Sequence, residues 1–364
     1  MTWISASLQF PTTGRRDYYR GMGCNASRSN PKDTRVLVTG GSGYLGQFLV
    51  DRLAADGYTI LATTHSHNPE LSVPVDKDNV EGLTVDGTDS KALQEIMNQF
   101  KPSVIINTMA ISSPAQCEKI KEKAEKLNSA KAFVDAVKKS NPLSLVIQIS
   151  TDQVYSGKGE VEGGYTNQSK TEPVNHYGRT KLMAEENIAT LENHIILRSS
   201  GIYGPPPPRE CSKGGTFLQM TMKLLKGDSK SPFFSEEKRS HVYVRDCVSI
   251  IRHFVFTYPI MKFKEASDRI FCMGGTGTWA RDQYAIVTAE EIGLSKENIL
   301  PMTREECKFG WAHTFTSPAD ISMNVTRITQ QWSKPKTLRE GIRDMIERGE
   351  IKRHVDPSGV NDED

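Results

Sequence analysis

The segment Val36-Leu37-Val38-Thr39-Gly40-Gly41-Ser42-Gly43-Tyr44-Leu45-Gly46 constrains this chain more than any other stretch. An apolar run of strand composition feeds directly into closely spaced glycines, and an apolar helical period (Leu45, Phe48, Leu49, Leu53) follows. Strand, glycine turn and helix in that order build a phosphate site. The glycines let the backbone approach a pyrophosphate, which then rests on the N-terminus of the helix. Two registers remain open: Gly40, Gly43 and Gly46 read as Thr-Gly-x-x-Gly-x-x-Gly, and Gly41, Gly43 and Gly46 as Gly-x-Gly-x-x-Gly.

The chain continues in the same grammar. Strand patterns at 36–38, 59–63, 104–106, 145–149 and 195–197 alternate with helical patterns beginning at Leu45, Ser90, Ala124 and Tyr177. Such alternation predicts a parallel sheet wrapped by right-handed crossovers. It breaks at Gly204, where prolines at 205–208 precede a helix over 217–225 and polar loops up to Arg239. Strand patterns return at Val242-Tyr243-Val244 and Ile270-Phe271. With 364 residues, the chain exceeds the usual size of one domain. The expected fold is a Rossmann-type, doubly wound parallel α/β sheet carrying a smaller α/β substrate-binding domain. Residues 34–203 and 240–275 are assigned to the first, and 204–239 and 276–350 to the second.

A second chemical signal is Tyr177-Gly178-Arg179-Thr180-Lys181. Residues i and i+4 share a helix face, so phenol and ammonium can point at one ligand. A nearby cation favours phenolate and lowers a tyrosine pKa from about 10, which suits proton transfer to a carbonyl oxygen. The spacing alone also describes an ordinary surface Tyr and Lys. What distinguishes it is its place after the glycine loop and after Ser150-Thr151-Asp152-Gln153-Val154-Tyr155.

These motifs occur together with Asn107-Thr108-Met109-Ala110 and Leu197-Arg198-x-x-x-x-Tyr203-Gly204-Pro205, in one order. Over residues 34–340 the chain resembles an extended short-chain dehydrogenase/reductase. The resemblance implies catalytic roles for Thr151, Tyr177 and Lys181. It implies cofactor contacts from Gly40, Gly43, Tyr44, Leu45, Gly46, Thr64, His65, Asp86, Gly87 and Ala110, with Tyr177 and Lys181 again, Asp86-Gly87 meeting the adenine.

An NAD site usually carries an acid about 20 residues beyond the glycines, to hold the ribose 2′-hydroxyl. Here the second strand ends Ala62-Thr63-Thr64-His65-Ser66-His67, with no acid before Glu70. That favours NADP(H) over NAD(H), although His65 and His67 equally fit solvated loop histidines.

The substrate signals also rest on resemblance. Arg239 precedes Val242-Tyr243-Val244-Arg245-Asp246 as in an extended-family signature whose Arg contacts the diphosphate of a sugar nucleotide, and it also fits a surface charge run. Gly275-Thr276-Gly277-Thr278-Trp279 with a helix over 284–292 resembles the substrate domain of dTDP-4-dehydrorhamnose reductases, in which Trp279 would touch substrate; plain core is the other reading. Two segments depart from that family. Its Thr-x-Val-Asp-x-Ala-Glu run is replaced by Ser112-Ser113-Pro114-Ala115-Gln116-Cys117-Glu118, and its Gly-x-Pro-Thr by Arg239-Ser240-His241-Val242. A related branch, the regulatory beta subunit of methionine adenosyltransferase, keeps the glycine loop and the Tyr/Lys pair. The resemblance therefore implies, in order, reduction of a keto group on a nucleotide-linked sugar, a regulatory subunit partnered by a methionine adenosyltransferase, and a sugar-nucleotide epimerase. A homodimer is compatible with each.

Composition narrows the field further. A net charge of +2 with no Lys/Arg stripe gives no nucleic-acid footprint, and the longest apolar runs have strand length, so no membrane span is expected. Six scattered cysteines without a Cys-x-x-Cys pair, and no clustered histidines, argue against a metal site and for reduced thiols in the cytoplasm. The Asn-x-Ser/Thr triplets at Asn25, Asn167 and Asn324 read as chance matches. Residues 1–33, with Arg15, Arg16, Arg20 and Arg28, read as an organelle-targeting peptide, a disordered extension, or a leader ahead of initiation at Met22. Residues 351–364 are expected to form an acidic tail.

Overall fold

The computed structural model of the chain describes residues 31–65, 69–158, 162–211, 215–258 and 261–354. The expectations for residues 1–30, for His67 and for 355–364 lie outside the described residues. The packed chain begins at a 3-10 turn, Pro31–Asp33, and runs past 351, since Ile351 is buried and the His354 amide donates to the Ile292 carbonyl at 2.6 Å.

Six strands, β1 (Arg35–Thr39), β2 (Thr59–Thr64), β3 (Val80–Thr84), β4 (Val104–Asn107), β5 (Leu145–Thr151) and β6 (His194–Ser199), join a seventh, Ile270–Met273. All pairings are parallel, and the spatial order is Ile270–Met273, β6, β5, β4, β1, β2, β3. Strands buried on both faces read as continuous apolar runs, and successive side chains go to opposite faces. Val36, Val38, Val104, Ile106 and Ile147 accordingly join one apolar core while Leu37, Ile105 and Val146 join the other. Strand β3 is the member the hydrophobic pattern missed. Glu81, Leu83 and Thr84 are exposed because it closes the sheet edge and needs little apolar content.

Sheet order reverses between β1 and β4, so the glycine loop after β1 and the Asn107-Thr108-Met109-Ala110 segment after β4 flank the switch point where open α/β sheets bind ligands. The single helix expected from Ala124 is divided into Pro114–Lys119, Lys121–Asn128 and Lys131–Ser140. The last break occurs at Ala130, whose φ of 56° turns the chain so that Phe133, Val134 and Val137 reach the core.

Beyond Gly204 the elements are shorter. Lys238–Arg239 pairs antiparallel with Trp279–Ala280, and Ser231–Phe234 pairs in parallel with Ile299–Met302. The strand expected at Val242-Tyr243-Val244 stops at Tyr243, and Val244 begins the long Val244–Thr257 helix. The Leu338–Glu347 helix starts with a capping box in which the Glu340 amide donates to Thr337 Oγ1 and the Glu340 carboxylate accepts from the Thr337 amide. No helix among the described residues is long and apolar enough to cross a membrane.

Candidate active site

The glycine turn is explained position by position. Gly40 has φ +76°, in the left-handed region, and a Cβ there would come within 2.8 Å of Thr108 Oγ1. A Cβ on Gly41 would lie 2.8 Å from that of Ala62, and one on Gly46 would collide with the Gly40 carbonyl and approach Gly41 Cα at 2.9 Å. These three glycines let the turn fold onto itself and onto β2. Gly43 differs, since a Cβ there would meet nothing but the Gly40 carbonyl oxygen, at 3.1 Å, and would otherwise enter open space. It is also the N-cap of the 12-residue Tyr44–Ala55 helix, and no side chain bonds that end. The amides of Tyr44, Leu45 and Gly46 belong to the first turn, where helix geometry provides no acceptor. They are suited to phosphate oxygens.

The side chains there serve the fold. Tyr44 donates its hydroxyl to the Pro205 carbonyl at 2.8 Å, and Leu45 is buried in the core. At the neighbouring strand ends, Thr64 lies 3.2 Å from Thr84 through their hydroxyls, and His65 follows, exposed. Asp86 Oδ1 accepts from both the amide and the hydroxyl of Thr88, each at 2.8 Å. Those bonds, the amide's first, hold the Asp86 carboxyl below the usual range. Gly87 leaves room for Met109 Sδ and Leu127, and half-buried Ala110 follows β4. The ends of β1 to β4 thus gather one rim of residues.

The second rim carries the Thr, Tyr and Lys singled out in the sequence. Thr151 ends β5, while Tyr177 and Lys181 lie on the His176–Ile188 helix, all three buried. Thr151 neighbours the Tyr177 hydroxyl, and Lys181 Nζ donates to the Ile149 carbonyl, 2.7 Å away and two residues before Thr151. The expectation that Lys181 lowers the Tyr177 pKa is corrected here. Burial dominates and pushes the phenol well above the ordinary tyrosine range, against the Thr151 hydrogen bond and with Asp152 and Cys117 adding to the rise. Burial also pulls Lys181 down to about 8, opposed by Glu185 and Cys117.

Several supporting residues escaped the sequence reading. Asn175 caps the Tyr177 helix by accepting from the Gly178 amide at 2.8 Å, and its Nδ2 donates to Gln153 Oε1 and to the Thr316 carbonyl. An Asn just before a helical run is the signal that could have found it. Asp152 is buried, accepts from Ser200 Oγ at 2.8 Å and from Thr151 Oγ1 at 3.2 Å, and faces Arg239. Asn128 ties Ile111 to Thr180, linking two helices behind Tyr177.

The two substrate candidates are cross-strand neighbours, Trp279 pairing with Arg239. Arg239 is not the open fork that the sequence suggests. It is buried, and its guanidinium donates to the carbonyls of Lys238, Ala319 and Pro318 at 2.7, 2.6 and 2.7 Å. Beside it Glu237 is buried; burial would raise its carboxyl, yet Arg281, Arg239 and Arg304 together hold it below the usual range. Trp279 is half-buried, and its Nε1 has no partner among the described residues. A cleft of about 530 Å³, lined in part by Val174, Arg179, Arg304, His313 and Phe315, opens beside the start of the Tyr177 helix. Among the described residues no group of three or more His, Cys, Asp or Glu could hold a metal ion.

The RmlD substrate binding domain matches this chain over residues 34–351. The chain belongs to that family. Among its relatives, the spore coat polysaccharide biosynthesis protein SpsK of Bacillus subtilis (strain 168) is 25% identical over 315 residues, 86% of this chain and 97% of that protein. A dTDP-4-dehydrorhamnose reductase of Escherichia coli is 27% identical over 282 residues, 74% of this chain and 84% of that protein. The crystal structure of a dTDP-4-dehydrorhamnose reductase from Bacillus anthracis str. Ames in complex with NADP superposes with a TM-score of 0.70 at 21% identity, covering 86% of this chain and 99% of that one. The RmlD family match accounts for the extended-reductase resemblance and for the seven-stranded parallel sheet.

Proposed function

We propose that this RmlD-family chain is an oxidoreductase that uses a nicotinamide dinucleotide to reduce a keto group on a nucleotide-linked sugar, the chemistry for which its dTDP-4-dehydrorhamnose reductase relatives are named. The observation that carries this reading is the convergence of Thr151, Tyr177 and Lys181 at the end of β5, across the switch point from an uncapped helix N-terminus. The residues fit the cofactor: Gly43 would leave the pyrophosphate its space, the Tyr44, Leu45 and Gly46 amides would hold it, and the Thr64, His65, Asp86, Gly87 and Ala110 rim would receive the adenosine end. The nicotinamide, when bound, supplies a hydride. Tyr177, kept protonated by its burial, gives its phenolic proton to the carbonyl oxygen. Thr151 orients that carbonyl, and the Lys181 ammonium, one turn further along the same helix, offsets the negative charge of the phenolate left behind. Because the Arg239 donors are spent on carbonyls, Arg239 would meet the substrate diphosphate through its charge rather than through a free fork.

Purified protein with NADPH should consume a dTDP-linked 4-keto sugar, read as loss of nicotinamide absorbance. NADPH should bind more tightly than NADH in calorimetric titration, because no carboxylate stands between Ala62 and Glu70 to repel a 2′-phosphate. Tighter binding of NADH would reverse that assignment.

The pH dependence follows from Lys181. Its lowered pKa means that the ammonium is present below about pH 8 and lost above it, while Tyr177 stays protonated throughout. We therefore expect kcat/KM to fall above that value and the fall to move to higher pH in Lys181→Arg. A profile flat from about pH 7 to 10 would remove Lys181 from the mechanism.

Replacement of both sugar-reading segments supports a second reading, a cofactor-binding regulatory subunit. On that reading no keto sugar turns over and a methionine adenosyltransferase is recovered in a pull-down. An epimerase, third, would interconvert sugars without net NADPH consumption. Cys117, Cys211, Cys247, Cys272 and Cys307 are all unbridged, which supports a reducing, cytoplasmic setting.

A further inference from the structure

Glu237, Arg239 and His241 are spaced two apart along one extended stretch, and Trp279 pairs with Arg239 from the neighbouring strand just before Arg281 opens the next helix. Alternation puts such residues on a common face. The contacts agree, for Arg281 reaches Glu237, and both Arg281 and Arg239 act electrostatically on His241.

His241 is only 7% exposed. Its ring stacks on Phe217 at 5.8 Å and 5° and meets Tyr284 edge-on at 4.6 Å, so it is held in one orientation. Nδ1 lies 3.3 Å from the Gly201 carbonyl, and the absence of a side chain at Gly201 makes that approach feasible, since a Cβ there would stand 2.6 Å from Nδ1. A ring nitrogen facing a carbonyl carries the proton, which leaves the lone pair on Nε2. Burial, then Arg281 and Arg239, depress the imidazole pKa to about 3, so the ring is neutral at working pH. Yet Nε2 has no partner among the described residues, and neither has Trp279 Nε1 on the same face. An unpaired buried acceptor and an unpaired buried donor are each costly, and native proteins seldom keep them without a use.

Their place in the fold points to that use. Gly201 follows Ser200, whose hydroxyl bonds to Asp152, the neighbour of Thr151. This puts His241 against the segment that leaves the carboxyl end of β6, two hydrogen bonds removed from Thr151. His241 also stands where the rhamnose-reductase motif has proline, which offers no such acceptor, so the feature is this chain's own.

We propose that His241 determines which sugar is accepted, the Nε2 lone pair receiving a hydroxyl of the nucleotide-linked sugar while Trp279 Nε1 donates to the same or an adjacent oxygen. A sugar hydroxyl is both donor and acceptor and so completes both groups at once. This rests on the reductase reading for the substrate class.

The test is calorimetric titration of the full chain with dTDP and with dTDP-rhamnose, the product form of the sugar. The wild type should prefer the sugar-bearing ligand by about tenfold or more. In His241→Phe, which keeps the stacked ring but has no lone pair, that preference should collapse while dTDP itself binds as before. Single-deoxy analogues titrated into the wild type give a second reading that needs no variant, and removal of one particular hydroxyl should cost a similar factor. An unchanged preference in His241→Phe, a wild type with no preference, or deoxy analogues that all bind equally would each overturn the proposal. NADPH oxidation is followed in parallel. Turnover without an effect at His241 removes this inference alone, and a His241-dependent preference without turnover removes the reductase reading alone.

Discussion

Tyr177→Phe should lower turnover by roughly 10²- to 10⁴-fold while NADPH affinity changes little, the range expected when a positioned general acid is deleted. The substitution removes one oxygen from a buried ring and keeps its shape. Thr151 retains its contacts with Asp152 and the Gln153 amide, and Lys181 retains the Ile149 carbonyl, so the surrounding site should keep its geometry. The loss, about 3 to 5 kcal/mol of barrier, should fall on kcat rather than on cofactor binding. Because burial keeps the phenol protonated in the free protein, the residue is suited to act first as an acid. Steady-state NADPH oxidation beside a calorimetric titration measures both quantities. Retention of more than a tenth of the wild-type rate would exclude Tyr177 as the proton donor.

Gly43→Val should do the opposite, weakening NADPH binding by roughly 100-fold or more, close to 3 kcal/mol, in a protein that still folds. The backbone at Gly43, φ −73° and ψ 165°, is extended and open to valine, and the added carbons would point into the space where the pyrophosphate approaches. Gly46→Val is the informative control. Its side chain would press on the Gly40 carbonyl and Gly41 rather than on the ligand, so it should lower the melting temperature as well as the affinity. Equal NADPH affinity in Gly43→Val and wild type would show that the phosphate does not sit on the Tyr44–Ala55 helix.

The two outcomes separate binding from chemistry, and they draw on residues that the sequence had already singled out. The glycine spacing, the Tyr177/Lys181 period and the alternation of strands and helices are local patterns. Each is set by a backbone repeat over a few residues, so each could be read without knowing where the chain goes next. The Asn175 cap and the Thr337/Glu340 box are patterns of the same local kind, although the sequence reading passed over both. Strand β3 was harder because an edge strand carries a weak apolar signal, and the helix after Tyr243 because a strand and a helix share the run Val242-Tyr243-Val244.

What the sequence determined by itself is therefore most of the sheet, the glycine turn and the candidate site residues Thr151, Tyr177 and Lys181. Tertiary structure alone decided how those residues behave. The direction of the Tyr177 shift turned on burial outweighing the opposing hydrogen bond of Thr151. Arg239 lost its free donors to the carbonyls of Pro318 and Ala319, contributed from far along the chain. His241, in the sequence only one member of a segment that departs from the family, acquired an unpaired lone pair because Phe217, Tyr284 and Gly201 close around its ring. Desolvation and hydrogen-bond satisfaction arise where distant segments meet, so their signs depend on the packing of the whole chain rather than on any stretch of it.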